Sequence, residues 1–245
     1  MAPLAIPIKE VDRSNKPCLK FRVLHRFYRL TSDNNRSLEM ILHDNEGGRI
    51  TGIIKSQNLD LLDNRFVQGH VYAIKNYYVE NDIGRFLTNH SKFRIVLHST
   101  TCLIEITKES FFPDLMFDFR SYSTFVDPDR VDDTKLFDII GKVTEIHPPQ
   151  EKLFVGRRTR FIQIVLEDFS GQRANPTLWA NYVDEILAFE RNNRAGPRVL
   201  ILQLCRAKVY RDKVTITNSF NITQIHYLES IPAIEMFKSH AAAVG

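Results

Sequence analysis

The sequence contains few cysteines. Cys18, Cys102 and Cys205 are the only ones in 245 residues, and they stand far apart in the chain. This spacing excludes a CxxC zinc ribbon, and the low number excludes a miniprotein built on disulfides. An odd number of cysteines, in a chain whose first residues do not resemble a signal peptide, indicates a reducing compartment.

Long apolar runs and catalytic motifs are also missing. No stretch approaches the roughly 18 apolar residues of a membrane-spanning helix. The eight histidines form no HxxxH or HExxH pair, and the sequence has no GxxxxGK[ST] phosphate loop and no GxSxG motif. We therefore expect neither an enzyme nor a membrane protein, and no metal ion or cofactor.

The composition is that of an ordinary folded protein, but the charge is unevenly distributed. Hydrophobic residues make up 43% and charged residues 25%, which excludes a disordered or collagen-like chain. The formal net charge is +4, yet residues 16–108 carry +5, residues 109–133 carry −5 and residues 134–230 carry +4. Two basic blocks joined by an acidic segment are typical of two domains and a connector.

An internal repeat supports this division. Residues 38–47 align with residues 162–171, and both segments read as an alternating strand that ends in an aspartate and a glycine turn. Asp44 and Asp168 can bond to their own turn backbone, and Gly47 and Gly171 adopt positive φ at little cost. The other elements of the two copies are a preceding strand (19–27 and 136–146), a strand after the turn (49–55 and 173–179), an amphipathic segment (56–66 and 181–191), an apolar strand (71–74 and 199–204) and a hairpin whose return strand contains residues 87–89 or 216–218.

This order of elements predicts the fold. Five strands with one helix between the third and fourth, in roughly 100 residues, are typical of the OB-fold. We predict a mainly β protein made of two tandem OB-folds, each a five-stranded Greek-key barrel with a short helix between strands 3 and 4. The predicted divisions are an extended N-terminus (1–15), the first OB-fold (16–108), an acidic aromatic connector (109–133), the second OB-fold (134–230) and a C-terminal helix or tail (231–245).

The connector is unusual for a linker because it is rich in phenylalanine as well as in acids. A flexible linker would be polar and rich in glycine and serine, so this segment is expected to pack on a barrel surface. Two interpretations remain open. The connector fixes the angle between the domains so that one bound strand crosses both grooves, or it is a capping segment with no part in binding.

The candidate binding residues lie where OB-folds commonly hold oligonucleotides, on the face of strands 2 and 3 and on loops 1–2 and 4–5. Aromatic rings stack on the bases of a single strand, and lysine and arginine contact its phosphates. Trp179, the only tryptophan, ends the third strand of the second copy, where a role in binding is favoured over a core position. Tyr210 lies at the second hairpin, and Phe86 lies at the corresponding hairpin of the first copy. The predicted phosphate contacts are Arg85, Lys92, Arg94, Arg158, Arg160, Arg173, Arg206, Lys208, Arg211 and Lys213.

The second copy resembles a known family. Its segments DIIGKV (138–143), VLEDFSG (165–171) and TLW (177–179) are similar to the second DNA-binding OB-fold of the large subunit of replication protein A. The first copy resembles the neighbouring OB-fold of that subunit more weakly, in the divergent form common in plant proteins. The resemblance covers roughly residues 16–230.

The resemblance implies a nuclear protein that coats single-stranded DNA in replication, repair or recombination, with other subunits of the same kind as partners. The family's stacking aromatics occur in pairs, one on strand 3 and one at the hairpin between strands 4 and 5. Trp179 and Tyr210 match the second-domain pair, and Phe86 matches the first-domain hairpin residue. The remaining position is Lys55, which can contact a phosphate but has no ring, so weaker binding by the first domain is expected. The family's large subunit also carries a protein-recruiting OB-fold and a zinc-bearing OB-fold that mediates trimer formation, neither of which is expected here.

Two other functions remain open at this level. Stacking and phosphate contacts serve RNA as well as DNA, because only contacts to the 2′-hydroxyl distinguish them. A protein that binds RNA or telomere ends is therefore the first alternative. The second is a protein–protein scaffold that has lost nucleic-acid binding, which Lys55 favours and Trp179 with its basic neighbours opposes.

Overall fold

Two compact units make up the chain, residues 1–117 and residues 118–245. The computed structural model describes residues 5–14, 16–30, 35–83, 91–107, 112–154, 156–192, 197–228 and 230–244. The border between the units lies within the acidic segment that joins the two repeats. Within the described ranges, no helix has the length and apolar character needed to cross a membrane.

The first unit is a curled sheet with one short α-helix. Its described strands are β1 (Leu19–Leu30), β2 (Arg36–His43), β3 (Arg49–Ile54), β4 (Val71–Lys75), β5 (Tyr78–Asn81), β6 (Phe93–Leu97) and β7 (Cys102–Glu105), and helix α1 (Ser56–Leu62) lies between β3 and β4. Short 3-10 turns occur at Ile8–Glu10 and at Asp63–Arg65. The hydrogen-bonded order is β5-β6-β3-β2-β1-β4-β7. Because β5 continues β4 after a break at residues 76–77, this order closes the sheet into a barrel.

The second unit repeats this plan with longer strands. Its described elements are β8 (Leu136–Ile146), β9 (Gln150–Phe154), β10 (Arg157–Glu167), β11 (Arg173–Ala174), β12 (Thr177–Trp179), α2 (Tyr182–Asn192), β13 (Val199–Tyr210), β14 (Lys213–Asn218), β15 (Gln224–His226) and α3 (Pro232–Val244). Two 3-10 turns, Tyr122–Phe125 and Pro128–Arg130, precede β8. Strand β8 pairs with both β10 and β13, and β12 pairs in parallel with β14. The pairing again closes a barrel, and the prediction of two tandem OB-folds is confirmed.

The glycine turns of the two copies have the same construction. The Oδ1 of Asp44 accepts hydrogen bonds from the backbone N–H groups of Glu46 (3.0 Å) and Gly48 (2.7 Å). The Oδ1 of Asp168 accepts the corresponding bonds two and four residues further along, at 2.9 and 3.0 Å. The glycine of each turn, at residue 47 or 171, has a positive φ of 86° or 77°. The predicted roles of the two aspartates are thus confirmed, and they are structural.

The fourth strand of each barrel bends at a residue with left-handed backbone. Asn76 has φ 59° and Leu204 has φ 60°, and the pairing register of β13 with β8 shifts next to Leu204. This conformation is unfavourable for leucine. The buried carboxylate of Asp138 compensates, because its Oδ1 accepts a 2.8 Å hydrogen bond from the Leu204 N–H. The bend sets which residues further along the strand face outward.

Helix α2 shows how the sequence produces the element between strands 3 and 4. Tyr182, Val183, Ile186 and Phe189 are buried on one face, with the spacing of an amphipathic helix. Asp184 and Glu185 lie in the first turn, where negative charge is favourable near the positive end of the helix dipole. The helix thereby covers one end of the second barrel's core.

The first half of the connector packs on the first barrel. Arg22 donates from Nε to the carbonyl oxygen of Pro113 at 2.7 Å. The Nη2 of the buried Arg49 donates to the carbonyl oxygen of Met116, also at 2.7 Å. Two arginines of the barrel therefore satisfy carbonyl groups of a segment that has no regular secondary structure.

The second half of the connector packs on the second barrel. The N–H of Asp118 donates to Oδ2 of Asp138 at 2.7 Å. The buried Tyr122 donates from its hydroxyl to the carbonyl oxygen of Ile140 at 2.9 Å, and burial raises the pKa of this tyrosine. The connector is thus ordered where it is described, as its aromatic composition predicts.

One buried histidine makes the stability of the first unit depend on pH. His43 is fully buried, with its Nδ1 3.0 Å from the Asp44 carbonyl oxygen. Burial, together with the nearby Arg49 and Arg22, lowers the pKa of His43 from 6.5 to about 4. The unfolded chain binds a proton at a higher pH than the folded unit, so stability falls as the pH drops from 6.5 toward 4. We expect the free energy of unfolding of the first unit to fall by roughly 2 kcal/mol between pH 7 and pH 5.

This loss can be measured by denaturant-dependent amide hydrogen exchange in β2 and β3 at pH 7 and pH 5. His43→Gln retains a donor for the Asp44 carbonyl but does not titrate, so its stability is expected to vary less with pH. An equal dependence on pH in the two proteins would show that His43 is not the responsible group.

Candidate nucleic-acid interface

Trp179 lies on the outer face of the second barrel, at the end of β12. It pairs in register with Phe161 of β10, and the two ring centroids are 4.8 Å apart at an interplanar angle of 34°. Its neighbour Leu178 points into the core and is fully buried, whereas Trp179 and Phe161 are half-buried. The backbone N–H of Trp179 donates to Oδ1 of Asn218 at 2.8 Å, which fixes the end of the strand. Trp179 therefore lies at the surface of the barrel and not in its core, with a ring of the kind on which a base can stack.

The same face continues across the neighbouring strands. Residues directly paired in a sheet lie on the same face, and so do residues two positions apart in one strand. The register places Thr177 beside Thr217, and Thr217 beside Arg206. The next pairs along β13 and β14 are Lys208 with Thr215 and Tyr210 with Lys213. One surface thus carries Phe161, Trp179, Arg206, Lys208, Tyr210 and Lys213.

This arrangement has the chemistry of a groove for a single strand. Tyr210 is 69% exposed at the end of its strand. The guanidinium carbon of Arg211, in the adjoining turn, is 5.2 Å from the Tyr210 ring centroid. Lys208 and Lys213 are exposed on either side of it. Rings on which bases can stack and cations that can contact phosphates therefore alternate along the face.

The other basic candidates of the second barrel lie elsewhere. Arg158 and Arg160 belong to β10, within a hairpin formed with β9, and strand alternation turns them away from the Trp179 face. Arg160 forms an ion pair with Asp184 of α2 at 3.1 Å. Arg173 forms one with Glu167 at 3.1 Å, at the opposite end of β10. Arg158 and Arg160 are therefore turned away from the face that holds Trp179, whereas Arg173, paired with Glu167, lies on that face but at the far end of β10 from Trp179.

The pairing register shows which residues of the first barrel correspond to this face. Ile54 pairs with Leu38 as Leu178 pairs with Ile162, so Lys55 occupies the position of Trp179. Ile53 pairs with Val96 as Thr177 pairs with Thr217, and these two partners pair in turn with Tyr78 and Arg206. Tyr78 therefore aligns with Arg206. Further along the same strands, Glu80 aligns with Lys208, Asp82 with Tyr210 and Lys92 with Lys213. The first barrel thus has acids at two positions where the second has a cation and a ring.

Glu80 engages two of the predicted phosphate contacts of the first barrel. Its Oε1 accepts a hydrogen bond from Lys55 Nζ at 2.8 Å, and its Oε2 accepts one from Arg94 Nη2 at 2.9 Å. These two cations hold the pKa of Glu80 below its usual value. Because Glu80 offsets one of the two positive charges and occupies donors of both side chains, Lys55 and Arg94 are weaker candidates for phosphate contacts than the sequence implies.

Glu39, on the same face of the first barrel, is nearly buried. Its pKa is raised by burial, and the ion pair with Arg29 at 3.1 Å opposes this shift. Lys92 is exposed, with Nζ 5.3 Å from the ring centroid of Phe93. Phe86 and Arg85, the two predicted hairpin residues, lie outside the described residues, as do residues 87–89 of the predicted return strand. The described strand that closes the first barrel is β6, which contains Arg94.

Two aromatic residues on these faces were not predicted. Phe161 is recognisable only from its pairing with Trp179 in the structure. Tyr78 follows Tyr77 directly, and one member of such a doublet in a strand must face outward. The tyrosine doublet was the sequence signal that could have identified an outward-facing ring on this strand. Among the residues that the structure describes, no group of three or more metal-binding side chains occurs.

The fold of the two units defines a tandem OB-fold protein, an architecture that often binds oligonucleotides. Comparisons with known proteins agree with this class. Residues 13–127 match the model of a family described as a domain of unknown function, DUF223. The structure superposes on a solved replication protein A heterotrimer bound to single-stranded DNA with a TM-score of 0.61 and 17% identity, covering 98% of this chain and 55% of that chain. This similarity establishes the fold.

A curated relative gives the particular resemblance. The chain is 25% identical, over 146 residues, to a 70 kDa DNA-binding subunit of replication protein A from Oryza sativa subsp. japonica. The match covers 58% of this chain and 15% of the relative, so the chain corresponds to a small part of that rice protein. The predicted resemblance to the large subunit of replication protein A is confirmed.

Proposed function

We propose that this protein binds single-stranded DNA with little sequence preference, mainly through the outer face of the second barrel. The observation that carries the proposal is the presence of Trp179 and Tyr210 on one face with Lys208 and Lys213. Stacking on rings and contacts to phosphates tolerate any base sequence, because every base has a π face and every nucleotide a phosphate. The relation to the rice DNA-binding protein supports the same function.

The proposal extends to both barrels acting on one strand. Because the barrels belong to one chain, a strand held by one is present at high effective concentration near the other. The second barrel has the stronger set of contacts, since two cations of the first already share the carboxylate of Glu80, which offsets one of their two charges. A nuclear role in replication, repair or recombination, together with other subunits of the replication protein A type, is the setting we propose for this activity.

The test is a titration of fluorescent oligonucleotides of equal length as single-stranded DNA, single-stranded RNA and duplex DNA, each at two salt concentrations. We expect the strongest binding to single-stranded DNA, little change between oligonucleotide sequences and weaker binding at high salt. Equal affinity for the duplex would overturn the proposal. Stronger binding to RNA would establish the RNA-binding alternative, and no binding to any of the three would favour a protein–protein scaffold.

A further inference from the structure

The first barrel has an exposed aromatic ring at a position where the second barrel has a cation. Tyr78, aligned with Arg206, is 56% exposed. It pairs with Val96 of β6, which pairs with Ile53 of β3, and both of these residues are almost fully buried. The Tyr78 ring therefore projects from an apolar part of the barrel face, on the strands that carry the candidate interface in the second barrel.

A second ring supports Tyr78 from one side. The ring of His98 stacks on it, with the centroids 4.4 Å apart and an interplanar angle of 28°. His98 follows β6 and is half-buried. A tyrosine that already lies against another ring loses less rotamer freedom when a ligand stacks on it.

His98 is in turn held by a local network. Its Nδ1 lies 3.0 Å from the hydroxyl of Thr100, and its backbone N–H donates to the Thr101 hydroxyl, also at 3.0 Å. The side-chain amide of Asn76 donates to the Thr100 hydroxyl at 2.9 Å. Asn76 is the left-handed residue at the bend before β5. The same bend that turns Tyr78 outward therefore also orders the residues that support its ring.

One cation lies at the Tyr78 ring itself, and two others share a single carboxylate further along the strand. Lys16 Nζ is 5.6 Å from the Tyr78 ring centroid, a favourable cation–π distance. Glu80 lies two residues along the strand, and Lys55 and Arg94 share its one carboxylate, which offsets one of their two charges. A stacked base needs no free cation, whereas a phosphate does.

We propose that Tyr78, supported by His98, is the base-stacking site of the first barrel, and that its ligand is an unpaired nucleobase of the bound strand. This inference rests on the proposed function. The site differs in position from the Trp179 and Tyr210 pair, since Lys55 and Asp82 occupy the positions equivalent to that pair in the first barrel. The first barrel thus contributes mainly stacking, and the second contributes both stacking and phosphate contacts.

Photo-crosslinking of the full chain to an iodouracil-substituted single-stranded oligonucleotide tests the site directly. Mass spectrometry is expected to find a crosslink at Tyr78 in addition to crosslinks in the second barrel. Crosslinks in the second barrel alone, with none at Tyr78, would overturn the inference and leave the proposed function intact. No crosslink at any residue, with no binding in solution, would mean that the proposed function itself fails.

Affinity measurements supply the quantitative test. We expect Tyr78→Ala to weaken binding about fivefold or more, and Tyr78→Phe to bind as the unchanged protein does. Tyr78→Leu keeps an apolar side chain but no ring, and it is expected to behave as Tyr78→Ala. The dependence of affinity on salt is expected to be the same in all four proteins, because no phosphate contact is lost. Unchanged affinity in Tyr78→Ala, or full binding by Tyr78→Leu, would overturn the stacking role. Circular dichroism melting curves establish that each variant is folded.

Discussion

Removing both rings of the second barrel, in Trp179→Ala/Tyr210→Ala, is expected to weaken binding to single-stranded DNA by about 2–6 kcal/mol. Each stacked base contributes about 1–3 kcal/mol, and the two residues lie on different strands. The single variants are each expected to lose about half of this amount. Fluorescence anisotropy with one oligonucleotide, at constant salt, measures all three variants against the unchanged protein.

The fold is expected to survive these substitutions. Both side chains lie on the outer face, whereas the neighbouring Leu178 fills the core. Phe220→Ala is a matched control, because Phe220 is a 71% exposed aromatic residue of the same unit that follows β14 rather than lying on the face. If Trp179→Ala is strongly destabilised, but the folded fraction of this variant binds as the unchanged protein does, Trp179 is a core residue and its proposed role is wrong. If Phe220→Ala weakens binding equally, the loss of affinity in the Trp179 and Tyr210 variants is not specific to the proposed binding face.

Removing three exposed cations beside Tyr210, in Lys208→Gln/Arg211→Gln/Lys213→Gln, is expected to lower affinity about 100-fold at 0.1 M salt. Each phosphate contact to a single strand contributes about 0.7 to the slope of log affinity against log salt, so the slope should fall by about 2. The loss should nearly vanish toward 1 M salt. Titrations at four or more salt concentrations determine both the affinity and the slope.

The charge of the whole unit also changes in this variant, so it needs a control of equal charge. Arg130→Gln/Lys135→Gln/Arg191→Gln removes three cations that lie before β8 or at the end of α2, outside β10, β12, β13 and β14, the strands that carry the face. It is expected to keep the original slope. Equal slopes in the two triple variants would show that only net charge matters, and the proposed phosphate contacts would be wrong.

The fold could be predicted because the residues that mark its turns are close together in the sequence. The strand, aspartate and glycine pattern of residues 38–47 recurs at residues 162–171, and each aspartate forms the turn bonds that its position implies. The residues at which strands begin and end were harder to predict. The residues 173–179 form two strands rather than one, and residues 157–161 extend β10 into a hairpin with β9, because long-range pairing rather than local sequence decides where a strand ends.

The candidate site was predictable only in part, because its arrangement depends on register. Trp179 and Tyr210 could be selected from their residue type and their place in the repeat. The engagement of Lys55 and Arg94 by Glu80 could not, since the three residues come from separate strands or their ends. Tyr78 was missed for a related reason. The bend at Asn76 determines which residue of the Tyr77 and Tyr78 pair faces outward, and a bend of this kind has no strong sequence signal.

The ion pairs of Glu80 have a consequence for how the size of the bound segment is measured. Counterions are released only where a protein cation replaces them along the nucleic acid. Lys55 and Arg94 already share one carboxylate partner within the first barrel, so nucleotides lying there release fewer ions than two unpaired cations would displace. The salt slope would then report mainly the nucleotides on the second barrel, while nuclease protection would report those on both. The length of strand deduced from ion release should accordingly be shorter than the length that the protein protects.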